Sequence, residues 1–141
     1  MGPVTAVDPA TLPQGSKVHY LGARDYAVLP EALAAWDEAM LPFALNEATR
    51  FLSPTKTPGY LADGLPVVST PARDVERTWG ALGLVAVAGD AEGFVASIDG
   101  LLSSRYPKRL MQVDRTLARH SWDATWAHMR ALMTRAAARA A

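Results

Sequence analysis

The residues best placed to do chemistry lie in one stretch, Asn46 to Val68. It holds two cations, Arg50 and Lys56, beside two overlapping helix-start signals, Ser53-Pro54 and Thr57-Pro58. Each is a capping residue followed by proline, which suits the first helical position. Both cannot open one regular helix, because a proline four residues inside clashes with the carbonyl of Pro54. The pattern predicts a turn at Ser53 and a helix from Thr57 to about Asp63, with Gly64 as its C-terminal stop. Unpaired amides at a helix start attract anions. With Arg50 and Lys56 alongside, they would form a clamp for a diphosphate. The alternative is a solvated loop with ordinary surface charges.

Other candidates carry less. His19, His120 and His128 are far apart in sequence, with no carboxylate at metal-ligand spacing. His19 falls in a strand-like pattern and reads as a surface or core-edge histidine. Ser69 follows an apolar run but lacks the Gly-x-Ser-x-Gly elbow of a hydrolase nucleophile. Asp74 and Glu76 flank a helix start, where favouring the helix dipole is the default role and sugar binding the lesser one. Leu82-Gly83-Leu84 lacks the glycine spacing of a dinucleotide loop, so no nicotinamide cofactor is expected.

These residues need elements to position them. Val18 to Leu21, Ala39 to Leu41, Val67 to Ser69 and Leu84 to Val87 read as short strands. Helices are expected after Pro30, around 73–79, after the Asp90 cap, from Pro107 to about Arg119, and after the Ser121 cap. Residues 44–53 read as polar and irregular. Trp122, Trp126, Met129 and Met133 recur at i, i+4, i+7 and i+11, and that stripe is expected to pack in the core. Strands alternating with helices predict a single α/β domain, with a Rossmann-like parallel sheet covered by helices on both faces and a helical C-terminal tail from about 107 to 139. In such sheets ligands bind beyond the carboxyl ends of the strands. Three loops fall there: Gly22-Ala23-Arg24-Asp25, Ala44 to Thr57, and Ser69 to Asp74.

Composition narrows the partners. The chain has 141 residues, half of them hydrophobic, with 14 basic against 14 acidic side chains. No basic field is available to attract nucleic acid. The absence of cysteine removes disulfides, thiolate chemistry and the commonest structural zinc sites. Apolar runs such as Leu84 to Ala88 are far shorter than the roughly 18 residues that span a bilayer. The N-terminus lacks the basic flank and apolar core of a signal peptide. The expectation is a cytoplasmic protein, or one peripheral at the inner face of the membrane.

The stretch from Ser53-Pro54-Thr55-Lys56 through Tyr60-Leu61-Ala62-Asp63-Gly64-Leu65-Pro66-Val67-Val68-Ser69-Thr70 resembles the donor-binding signature of the group 1 glycosyltransferases of the GT-B fold. In that family a strand leads through a loop into a helix that ends in Ala-x-Gly-x-Pro-Val-Val. Trp36 to Phe43 resembles the preceding strand, Val18 to Gly22 the strand whose end meets the base, and Ser121-Trp122-Asp123 the last helix. The resemblance implies a domain that binds a nucleoside diphosphate sugar, of uridine or guanosine, for transfer to a saccharide or lipid-linked acceptor. It implies no metal or other cofactor. Lys56 then matches a lysine on the donor diphosphate, with Arg50, Ser53 and Thr55 beside it. Gly22, Arg24 and Gly59 fall on the base and ribose side, and Asn46 and Glu47 on the donor-sugar side.

Two departures stand out. The family's ribose-binding glutamate is replaced by Gly59, and the acidic position eight residues earlier by Phe51. The resemblance also aligns the start of the chain just after the domain's second strand. The first βα unit and the acceptor-binding domain would then be missing, and the isolated chain would not transfer sugar. Two rival readings are a non-catalytic nucleotide-binding or scaffold module and an epimerase- or mutase-related protein of the same architecture.

Overall fold

The computed structural model describes residues 7–104 and 107–140. The chain divides into two units, Met1–Ala35 and Trp36–Ala141. In the first, turns of 3-10 helix at Pro9–Thr11 and Tyr26–Val28 precede helix α1, Leu29–Ala34. Asp8 and Asp25 cap the two turns by accepting from the amides of Ala10 and Ala27. Pro30 occupies the first turn of α1, as its preset φ favours.

The strand expected at Val18 to Leu21 is absent, and the segment is irregular. Val18 N–H donates to Gly15 O at 3.0 Å and the Tyr20 hydroxyl to Pro13 O at 2.7 Å, so the segment folds back on itself. Alternation marks which side chains share a face. A strand exists only where a neighbour takes its N–H and C=O groups.

In the second unit, β1 (Ala39–Leu41), β2 (Val67–Ser69) and β3 (Ala86–Val87) form a three-stranded sheet in the order β1-β2-β3, parallel throughout. The protein is thus mixed α/β, and three of the four expected strands are parallel members of one sheet. Met40 pairs with Val68, and Val68 with Ala86, so those side chains share one face. Ala39, Leu41, Val67, Ser69 and Val87 share the other. All three residues of β2 are buried, so both faces of the central strand are covered. On edge strand β1 only Met40 is exposed.

Residues 44–53 are less irregular than their composition suggests. Asn46 accepts from Thr49 N–H at 3.1 Å and caps a single turn, α2, Glu47–Arg50. Helix α3 spans Lys56–Ala62, beginning one residue before the expected start. Thr57 N–H donates to Pro54 O, so the turn at Ser53 runs straight into the helix. Pro58 lands in the first turn, where its missing donor costs nothing. Thr57 is therefore no cap, and its side chain is fully buried. Gly64 ends the helix at φ +78°, in the left-handed region that glycine enters without strain.

Helix α4 (Arg73–Val75) widens into a π turn over Glu76–Gly80. A Cβ at Gly80 would stand 3.2 Å from Val87 Cγ2, so glycine lets the turn pass against β3. Asp90 caps α5 (Ala91–Leu102) by accepting from Gly93 N–H at 2.7 Å. Helix α6 (Pro107–Leu117) packs on α3 and buries Val113. Its Arg109 donates to Leu65 O at 2.8 Å and Leu84 O at 3.3 Å, tying it to the segments that enter β2 and β3.

Ser121 caps α7 (Trp122–Ala140), accepting from Ala124 N–H at 3.1 Å. The stripe expected in the core is not there: Trp122, Trp126, Met129 and Met133 are 84%, 56%, 51% and 53% exposed. No residue of α7 from Trp122 to Arg139 is buried. No helix among the described residues is long and apolar enough to cross a membrane.

Candidate functional site

The carboxyl ends of β1 and β2 are closed together by side chains. Thr70 N–H donates to Leu41 O at 3.1 Å and its hydroxyl to Phe43 O at 2.9 Å. The buried Ser69 hydroxyl donates to Thr70 O at 2.8 Å, so it holds the strand end and is not poised as a nucleophile.

Beyond these ends lie two cavities that share the wall Ser53-Pro54-Thr55. The first, of about 340 Å³, is lined by Met40, Phe43, Ser53, Thr55, Lys56 and Tyr60. Among the described residues, no protein acceptor takes the amides of Ser53, Thr55 and Lys56. The Tyr60 ring lies tilted against Trp36, centroids 6.2 Å apart, and burial raises its phenol above the ordinary range. It therefore stays a neutral hydroxyl, able to donate or accept. The second cavity, of about 400 Å³, adds Asp74, Thr78, Trp79, His120, Ser121 and Trp122 to the shared wall.

Ser53, Thr55 and Lys56 therefore meet at one site, and the other expected site residues of the second unit do not line it. Arg50 pairs with Glu47 at 3.4 Å and its guanidinium lies 5.4 Å from the centre of the Phe51 ring. Neither Arg50 nor Glu47 lines either cavity, and Asn46 is spent as the cap of α2. Gly59 is exposed in mid-helix, and a Cβ there would meet nothing within 4 Å. Gly22, at φ +67°, and Arg24 are exposed residues of the first unit.

Sequence reasoning missed Tyr60 and Phe43 as cavity walls, and it missed the grouping of Asp74 with His120 and Trp122. Nothing local joins residues so far apart in the chain. The signal present was weak: a polar pair, His120-Ser121, directly before a helix that opens with tryptophan. Outside both cavities, the two Glu38 carboxylate oxygens are shut off from solvent without a partner, and burial raises that carboxyl above its ordinary value. No cluster of three or more His, Asp or Glu side chains suited to a metal ion occurs among the described residues. Comparison of the chain with family models, curated proteins and solved structures finds no match.

Proposed function

We propose that the second unit binds the diphosphate of a nucleoside diphosphate sugar, as the donor half of a glycosyltransferase with a Rossmann-like domain. The observation that carries this is the first cavity, where Lys56 and the amides of Ser53, Thr55 and Lys56 stand beyond the carboxyl end of β1. Free amides at Ser53, Thr55 and Lys56 with one cation match a diphosphate's several acceptor oxygens. Helix α3 has only seven residues, so the loop amides and Lys56 matter more than its dipole. The Ser53 to Thr70 resemblance supplies the glycosyl-transfer context. Holding the departing diphosphate would be this unit's share of catalysis. The absence of acidic residues at 51 and 59 favours binding over turnover by this chain alone.

Binding is expected to be weak, near the millimolar range or about −4 kcal/mol. An exposed charge-assisted bond contributes about 1.5 kcal/mol, the low end of its range. Lys56→Ala should therefore weaken uridine or guanosine diphosphate several-fold in an NMR titration, while Arg135→Ala on α7 leaves it unchanged. Shifts that cluster away from residues 53–56, or a Lys56→Ala chain that binds as tightly as the parent, would overturn the assignment. Gly59→Glu isolates the ribose question. Under the resemblance it tightens nucleotide binding and leaves pyrophosphate binding alone.

A further inference from the structure

The second cavity differs from the first in its chemistry. Among the described residues, no lysine or arginine lines it, and the one formal charge is the carboxylate of Asp74. A phosphate there would meet a like charge with no cation to offset it. A purely apolar ligand would leave the Thr78, His120 and Ser121 groups unpaired, at a cost. A neutral ring carrying several hydroxyls meets both conditions.

Two of the polar side chains that line the cavity are already fixed by hydrogen bonds to the chain. The His120 Nδ1 lies 2.8 Å from Thr116 O, and a carbonyl can only accept, so Nδ1 carries the proton. In the neutral imidazole, Nε2 is then left as an acceptor. The ring is further fixed against buried Trp79, centroids 5.2 Å apart. Ser121 Oγ accepts from Ala124 N–H, which leaves its own proton free to donate. Thr125 donates to Ser121 O at 3.1 Å and keeps its acceptor lone pairs. The site thus offers acceptors at Asp74 and His120 and a donor at Ser121. The Trp122 indole, 84% exposed, adds a flat apolar surface of the kind that covers the C–H face of a pyranose. The volume of about 400 Å³ falls in the range of small-ligand clefts, roughly 300–1,000 Å³.

We infer that this cavity, between the Ser53–Thr55 loop, the start of α4 and the α6–α7 junction, binds a hexose ring. Because it shares the Ser53-Pro54-Thr55 wall with the Lys56 cavity, that ring is the glycosyl end of the donor, a step that rests on the function proposed above. The sugar and its diphosphate occupy adjoining compartments that differ in charge.

The test uses the full chain and two separate probes, methyl pyranosides of glucose, galactose, mannose and N-acetylglucosamine, and uridine diphosphate, each followed by NMR. At least one pyranoside should shift the amides of Thr78, His120 and Ser121 and the Trp122 indole N–H, without shifting Lys56. Trp122→Ala should weaken it roughly three- to tenfold, the effect of losing one aromatic contact. His120→Gln, which keeps polarity but changes the donor pattern, should weaken it several-fold. Arg135→Ala, on α7 and lining neither cavity, should leave it unchanged. These side chains are exposed, so the variants keep the fold. If no pyranoside shifts residues 74–79 and 120–125, the inference is overturned, even where uridine diphosphate binds at residues 53–56 and the proposed function stands. If pyranosides bind there and uridine diphosphate shifts nothing near Lys56, the sugar site stands and the diphosphate assignment falls.

Discussion

Glu38 shows how one side chain can work against the fold. It stands just before β1, and both carboxylate oxygens are out of solvent contact without a hydrogen-bond partner. Burial raises its carboxyl above the ordinary value. For an acid shifted upward, the stabilising contribution is complete below the unfolded-state value and is lost as pH rises through the folded-state value. At neutral pH the ionised group is therefore a liability. Glu38→Gln should stabilise the chain near pH 7 by on the order of 1 kcal/mol, the low end for an unsatisfied buried group because the residue as a whole is only partly covered. The gain should shrink to nothing by about pH 4, where the parent side chain is also neutral. Urea unfolding at the two pH values measures this. An equal gain at both would mean that the charge is not the cause. Lys56 belongs at the same scale, since its contribution to diphosphate binding is one charge-assisted contact.

Among the elements, α3 and α6 make opposite predictions. Gly59 lies in the interior of α3 facing open space, so a methyl group there clashes with nothing. Gly59→Ala should raise stability by about 0.5–1 kcal/mol, because the unfolded chain loses conformational freedom. Thermal unfolding that shows no rise would mean α3 is frayed in solution. Helix α6 is held partly by a single side chain, Arg109, which joins Leu65 O and Leu84 O ahead of two strands. Arg109→Met keeps the stem and removes the charged nitrogen that makes both bonds, and should cost about 1.5–3 kcal/mol in chemical denaturation. Lysine at that position should not restore the loss, since its ammonium ends a shorter stem and falls short of the point where Nη2 meets both carbonyls. Full rescue by Arg109→Lys would show that charge alone is enough.

For the molecule as a whole, the core and the length of the chain do not coincide. Buried apolar side chains fall between Leu33 and Val113, and every residue from Ala118 to Arg139 is exposed. A chain ending at Ala127 keeps His120, Ser121, Trp122 and Thr125 and loses most of α7. Its denaturation midpoint should match that of the full chain within error, because none of the removed residues through Arg139 is buried. A clear drop would show that the Met129 and Met133 face of α7 is covered in solution.

Local chemistry was legible from the sequence alone. Gly64 had to end a helix, Asp90 and Ser121 had to cap two others, and Pro107 had to open one, because capping and backbone limits act within a few residues. The apolar runs at Ala39 and Val67 were strands, and Ser53 to Lys56 stood out as a cap, proline and cation cluster. Pairing and coverage were not legible. Val18 to Leu21 has the alternation of a strand and no ladder to join among the described residues, while Trp122 to Met133 has the period of a core helix and is exposed. Periodicity states which side chains share a face, and only the neighbouring elements determine whether that face is dry. The same holds for the site. Asp74, His120 and Trp122 share a cavity because α4 and the α6–α7 junction converge on one loop, a contact between distant parts of the chain that no local spacing encodes.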